Sequence, residues 1–125
     1  MNTIVIVTHP GIADALKATA TTILTTLPCE IITVDCPPDS DTDNLLVSVT
    51  ASLKDISGDI IVFSDVFGAT PHNLANSIVN TVSQNASLIS GINLPMLMRT
   101  INYIDLPLAD LCSKGMNGGK EGIKQ

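Results

Sequence analysis

With 125 residues, 45% of them hydrophobic and 14% charged, the chain has the size of one domain (1–125) with a core of its own. A net charge of −6 and only three aromatics, Phe63, Phe67 and Tyr103, argue against nucleic acid as a partner, since phosphates call for clustered cations and single strands for stacking platforms. No apolar run approaches the ~18–20 residues of a membrane span, and the opening MNTIVIV has neither the basic region nor the cleavage site of a signal peptide, so a cytoplasmic location is expected.

In chain order, Thr3 to Thr8 reads as a buried strand that Pro10 and Gly11 bring to a stop. From Gly11 to Leu27 the apolar residues Ile12, Ala15, Leu16, Ile23, Leu24 and Leu27 fall on one helical face, and Pro28 ends that helix. Glu30 to Val34 is a second strand. The polar loop CPPDSDTD follows, and Asp41 to Asp43 offer N-caps for a second helix carrying Leu45, Leu46, Val49, Leu53 and Ile56, closed by Gly58. Asp59 to Asp65 is a third strand. VFGAT is a loop, and Pro71 suits the first turn of a third helix with Leu74, Ala75, Ile78, Val79 and Val82 on its apolar face. Ala86 to Ser90 is a short fourth strand. A loop and short helix near Pro95 come next, then a last helix within Leu106 to Lys114 and a glycine-rich, faintly strand-like tail.

The three cysteines are expected as free, buried thiols. Cys29 and Cys36 bracket the second strand, which at ~3.3 Å per residue separates them by ~23 Å. A disulfide needs Cα atoms within ~7 Å, and there is no C-x-x-C.

Apolar strands alternating with amphipathic helices predict an α/β fold: a doubly wound, mainly parallel sheet with right-handed crossovers. The compact solution has spatial order 2-1-3-4, with the chain reversing direction between strands 1 and 3. Sites in such sheets lie beyond the carboxyl ends of the strands at that reversal. The residues there are His9 and Asp65, brought near each other because neighbouring strands are ~4.8 Å apart; Asn93, beyond strand 4, opens onto the same edge. A carboxylate accepting from one ring N–H fixes the imidazole tautomer, leaves the other nitrogen's lone pair free, and stabilises the ring when it becomes positive. That makes a nucleophile suited to a phosphoryl group, with helix N-termini after Gly11 and Pro71 as anion-binding elements. A helix-capping or structural role for His9 stays open on position alone, as does an N-cap role for Asp65. His72, in the first turn of the third helix, reads as a surface residue or as part of a rim where a partner docks. Close metal-ligand spacing is absent, and no cofactor is implied.

Three segments together resemble a known family. IVIVTHPG, FSDVFGATPHN and GINLPMLMRT are similar, in order and spacing, to the signatures of the mannose-class IIA component of the bacterial phosphoenolpyruvate-dependent sugar phosphotransferase system. The resemblance implies that His9 is phosphorylated through Nε2 by the phosphocarrier HPr and hands the group to a IIB partner, with Asp65 holding the Nδ1–H. Thr70 stands where the family has a serine close to the phosphoryl group. Gly68 and Ala69 form the tight loop, and Asn73 and Asn93 fall on matching polar positions; Gly11 is expected to support the close approach, and Phe67, His72, Asn73 and Asn93 are candidates for a partner-docking rim. Pro10 and Ala69 replace glycines usual in the family. The resemblance also implies a homodimer exchanging a C-terminal antiparallel strand, here GGKEGI, and contact with the membrane only through IIC and IID components. A stand-alone regulatory phosphocarrier is the alternative within the family. Outside it, a receiver-like domain phosphorylated on Asp65 lacks the acidic pair after strand 1, and a nucleotide or flavin module lacks a glycine-rich fingerprint there.

Overall fold

The computed structural model describes residues 1–125. Its strands are β1 (Thr3–Thr8), β2 (Ile31–Asp35), β3 (Ile60–Ser64) and β4 (Ala86–Ser90), and its helices are α1 (Ile12–Leu24), α2 (Thr42–Leu53), α3 (Thr70–Thr81), α4 (Leu94–Asn102) and α5 (Leu108–Glu121). The strands form one sheet in the order β2-β1-β3-β4, and every pairing is parallel. This is the expected α/β order, with the reversal between β1 and β3.

Burial on both faces explains why β1 and β3 read as continuous apolar runs; every residue of both is buried. Alternation then divides them between two cores. Ile4, Ile6, Ile61 and Phe63 pack with Ala13 and Ala20 of α1, Met96, Leu97 and Ile101 of α4, and Leu111 of α5. On the other face Val5, Val7, Ile60 and Val62 pack with Val49 and Leu53 of α2 and Leu74, Ala75 and Ile78 of α3.

Helix boundaries differ from expectation where the chain must turn back to the core. α1 ends at Leu24 rather than Leu27, because Thr25 takes a left-handed φ of 65° and Pro28 disfavours helical geometry at Leu27; Leu24 and Leu27 both still reach the core. α2 begins as expected, with Asp41 Oδ1 accepting the Asn44 N–H at 3.1 Å, but ends at Leu53 instead of continuing through Ile56.

The C-terminal tail is a correction. The segment expected to be an exchangeable antiparallel strand is helical through Glu121, so GGKEGI is largely the last turn of α5. Glycine disfavours a helix by about 1 kcal/mol per residue, and that local cost misdirects the sequence reading. Tertiary packing offsets it. Gly115, Gly118, Gly119 and Gly122 recur at the spacing of one helical face, and that face lies against α4 so closely that a side chain has no room. A Cβ on Gly115 would stand 2.7 Å from Thr100 Oγ1, one on Gly118 2.5 Å from Arg99 Cβ, and one on Gly119 2.7 Å from Met96 Cε. Asn93 Nδ2 donates to the Gly119 carbonyl at 3.2 Å, and Arg99 pairs with Glu121 at 2.9 Å, fixing α5 along α4.

Candidate functional site

Two chain breaks at the carboxyl edge of the sheet build the site. At the end of β1, the buried Thr8 turns its hydroxyl inward: Oγ1 donates to the His9 carbonyl at 2.7 Å and accepts the Ala13 N–H at 2.9 Å. It thereby caps α1 from five residues upstream. Gly11 takes a φ of 89° with open space where a Cβ would be, so glycine serves the backbone turn there and not a tight fit. Its N–H donates to Asp35 Oδ1 at 3.3 Å, and the Ile12 N–H reaches the His9 carbonyl at 3.4 Å. The start of α1 is thus largely satisfied from within.

At the end of β3, Val7 pairs with Ser64, so Asp65 leaves the sheet beside His9. Its Oδ2 accepts the His9 backbone N–H at 2.9 Å and lies 2.6 Å from His9 Nδ1, while Oδ1 accepts the Val66 N–H at 3.0 Å. An ionised carboxylate only accepts, so Nδ1 carries the proton and Nε2 holds the free lone pair. Exposure separates the two roles: the His9 side chain is 46% exposed and that of Asp65 is 7%. Burial pushes the Asp65 carboxyl up, but the hydrogen bonds from the His9 backbone and ring, its own backbone, and the charge of His9 together hold it below the usual carboxylate value. The carboxylate therefore stays ionised at neutral pH under an accessible imidazole.

The ring borders a cleft of about 200 Å³, also lined by Pro37, Pro38, Ser40, Thr70 and Pro71. Thr70 is the first residue of α3, whose N-cap, Ala69, makes no side-chain capping bond. Its first turn thus presents amide donors that no cap takes up, next to a hydroxyl, on the rim of the cleft. Gly68, at φ 84°, makes the bend that delivers the chain to this position. A half-exposed imidazole with a fixed tautomer, facing an uncapped helix start, can attack a tetrahedral anion and hold it.

A family model described as PTS system fructose IIA component, EIIA-man, matches residues 3–111. The chain belongs to this family. Solved structures agree on the fold. A phosphotransferase system component EIIA from Streptococcus agalactiae superimposes with a TM-score of 0.89 at 23% identity, covering 100% of this chain and 97% of that one. The mannose/sorbose specific IIA subunit from Enterococcus faecalis gives 0.85 at 19% identity, covering 99% and 92%. A PTS IIA protein associated with the fucose utilization operon of Streptococcus pneumoniae gives 0.75 at 21% identity, again covering 99% and 92%. No curated protein matches the sequence closely enough to add to this.

Within this EIIA-man chain the residues expected at the rim have separate surroundings. Phe67 is 78% exposed on the loop after Asp65, and its ring meets that of His72 with centroids 4.7 Å apart at 52°. His72 is half-buried rather than a free surface residue, with Nδ1 2.9 Å from Ser64 Oγ. Asn73 lines a different groove, between α2 and α3, which shares Thr70 with the His9 cleft. Asn93 caps α4, with Oδ1 accepting the Met96 N–H at 2.9 Å, and its amide nitrogen is bound to α5; it does not line the His9 cleft. Sequence reasoning missed Thr8, Asp35 and Ser64, polar residues at strand ends whose partners lie five, twenty-four and eight positions away. The only available signal was a polar side chain closing a largely apolar strand.

No group of three or more His, Cys, Asp or Glu side chains is arranged to hold a metal ion. The three cysteines are free. Burial, with the charge of Asp105, pushes the Cys29 thiol up to about 11, and burial also raises that of Cys112. No helix is long and apolar enough to cross a membrane.

Proposed function

We propose that this IIA component carries phosphoryl groups on His9, taking them from phosphorylated HPr and passing them to a IIB partner in the cytoplasm for sugar uptake. The observation that carries this reading is the accessible imidazole whose Nδ1 is held 2.6 Å from a carboxylate that is itself buried. In the forward step the Nε2 lone pair forms a bond to phosphorus as the bond from phosphorus to the donor breaks, its electron pair leaving with the donor. No proton has to move. The ring gains positive charge, which Asp65 offsets, and the phosphoryl oxygens turn to the Thr70 hydroxyl and the open start of α3. The second transfer reverses this geometry toward the next acceptor.

Catalysis here is positioning together with charge stabilisation. The exposed Phe67 flanks the approach as the docking rim, its ring backed by that of the half-buried His72, with Asn73 further along α3. The family membership supports the phosphotransferase class, and the paired side chains support the histidine as carrier.

The test is labelling with isotopic phosphoenolpyruvate in the presence of enzyme I and HPr. The protein is expected to take up one phosphoryl group, stable to alkali, and His9→Ala is expected to take up none. Label that persists in His9→Ala, or that alkali removes as it would an acyl phosphate on Asp65, contradicts the proposal.

A further inference from the structure

We infer that His72 is a positioning residue for the transfer site: its bond to the buried Ser64 clasps the two ends of the loop that carries Asp65 and leads to Thr70. The inference rests on phosphoryl transfer at His9 and adds to it a residue that does not touch the reacting atoms.

Ser64 is the one polar residue of β3 and is fully buried. By strand alternation it shares a face with Val62 and Ile60, under α3. A hydroxyl at such a place is costly unless it is hydrogen-bonded. The side-chain partner it has is His72 Nδ1 at 2.9 Å, and no buried side-chain polar atom of the chain lacks one. This bond joins the last residue of β3 to the first turn of α3 and so spans the mouth of the loop 65–69.

Apart from the bonds that Asp65 Oδ2 makes to the His9 backbone N–H and ring Nδ1 at 2.9 and 2.6 Å, the remaining ties of that loop are local: the Val66 N–H to Asp65 Oδ1 at 3.0 Å, and the Asn73 N–H to the Ala69 carbonyl at 3.0 Å. Gly68, with a positive φ and nothing within 4 Å of an added Cβ, gives the loop freedom rather than restraint. Yet Asp65 at one end must keep its oxygen within hydrogen-bond reach of the His9 ring, and Thr70 at the other must face the same cleft. Displacements near 1 Å are enough to lower a transfer rate by orders of magnitude. The Ser64–His72 bond holds both ends together, and the outer side of the same His72 ring supports Phe67.

Two substitutions separate these contacts. His72→Phe keeps a ring against Phe67 but cannot bond Ser64. His72→Asn loses the ring but carries an amide atom one bond beyond Cγ, where Nδ1 stood, and can remake the clasp. In single-turnover transfer from phosphorylated HPr, His72→Phe is expected to lower the maximal rate about tenfold while the HPr concentration giving half-maximal rate stays within about twofold. His72→Asn is expected to keep at least about half the wild-type rate, and Ser64→Ala combined with His72→Phe should be no slower than His72→Phe alone, as for partners in one bond. A second readout needs no donor: the proton NMR signal of His9 Nδ1–H, protected by Asp65, should broaden or exchange faster in His72→Phe and be preserved in His72→Asn. If the wild-type protein accepts no phosphoryl group, the transfer reading fails and this proton signal alone decides the clasp. If His72→Phe does not fold, Ser64→Ala reads the same bond from its other end. A wild-type rate and an unchanged proton in the variants that break the bond overturn the inference, and so does a His72→Asn variant as impaired as His72→Phe, which would assign the effect to the ring on Phe67.

Discussion

Replacing Gly118 by alanine tests the packing of α5 on α4, because two opposing effects of known size compete there. On an exposed helix the change stabilises by about 1 kcal/mol through helix propensity. Here the new Cβ would stand 2.5 Å from Arg99 Cβ, 2.9 Å from Arg99 Cγ and 3.2 Å from the Pro95 carbonyl. Those are atoms on or next to the backbone of α4 and cannot swing aside, so the helices must separate by about 1 Å or more to restore ordinary contacts of ~3.5–4.0 Å. Overpacking of this kind costs about 1–3 kcal/mol, and the rigidity of the neighbours puts the cost near the upper figure. The net expectation is a loss of about 2 kcal/mol, or roughly 8 °C in melting temperature for a domain between the small and large classes. Gly119→Ala should lose less, because its nearest obstacle is the mobile end of Met96. Asn117→Ala, at an exposed position on the same helix, should gain about 0.5 kcal/mol. Urea and thermal melts of the three variants read these values. Stabilisation by Gly118→Ala, or equal gains at positions 117 and 118, would refute the close helix contact and the correction of the tail from strand to helix.

Asp65→Asn is expected to keep the fold and slow single-turnover transfer, since an amide does not offset the positive ring; an unchanged rate would remove Asp65 from the chemistry. The same variant alters acid stability. The Asp65 carboxyl is held below its ordinary value in the folded chain, so its stabilising contribution is complete above the unfolded carboxylate value of about 4 and is lost as pH falls through the lower folded value. Between about pH 6 and pH 3 the wild-type melting temperature should therefore fall further than that of Asp65→Asn, and parallel curves would contradict this. Thr8→Val should destabilise by about 1–3 kcal/mol by leaving the Ala13 N–H without an acceptor, seen in urea melts and as faster amide exchange at the start of α1. Thr70→Val should slow transfer about tenfold or more, as loss of one donor to a developing anion does, with stability little changed.

Much of this was legible because the strongest signals were global. The apolar runs of β1 and β3 read as doubly buried strands, and parallel strands with right-handed crossovers left the 2-1-3-4 order as the compact solution. That order alone put His9 and Asp65 at the same break in the sheet, fifty-six residues apart in sequence. What was not legible depended on partners distant in space. The glycines of α5 look like helix breakers until α4 is present to occupy the room their missing side chains leave. Ser64 and Thr8 look like ordinary strand-end hydroxyls, since nothing local distinguishes one that caps a helix or clasps a loop. Asn93 matched a polar position near the site by motif, yet both ends of its amide are spent joining α4 to α5.

The most direct test of the account is the NMR signature of the phosphorylated chain, labelled with nitrogen-15 in its histidines. The account predicts that phosphorus couples to Nε2 of His9, that Nδ1 of the same ring keeps its proton, and that His72 is unmodified. Phosphorus bonded to Nδ1 of His9, or to His72, would contradict it.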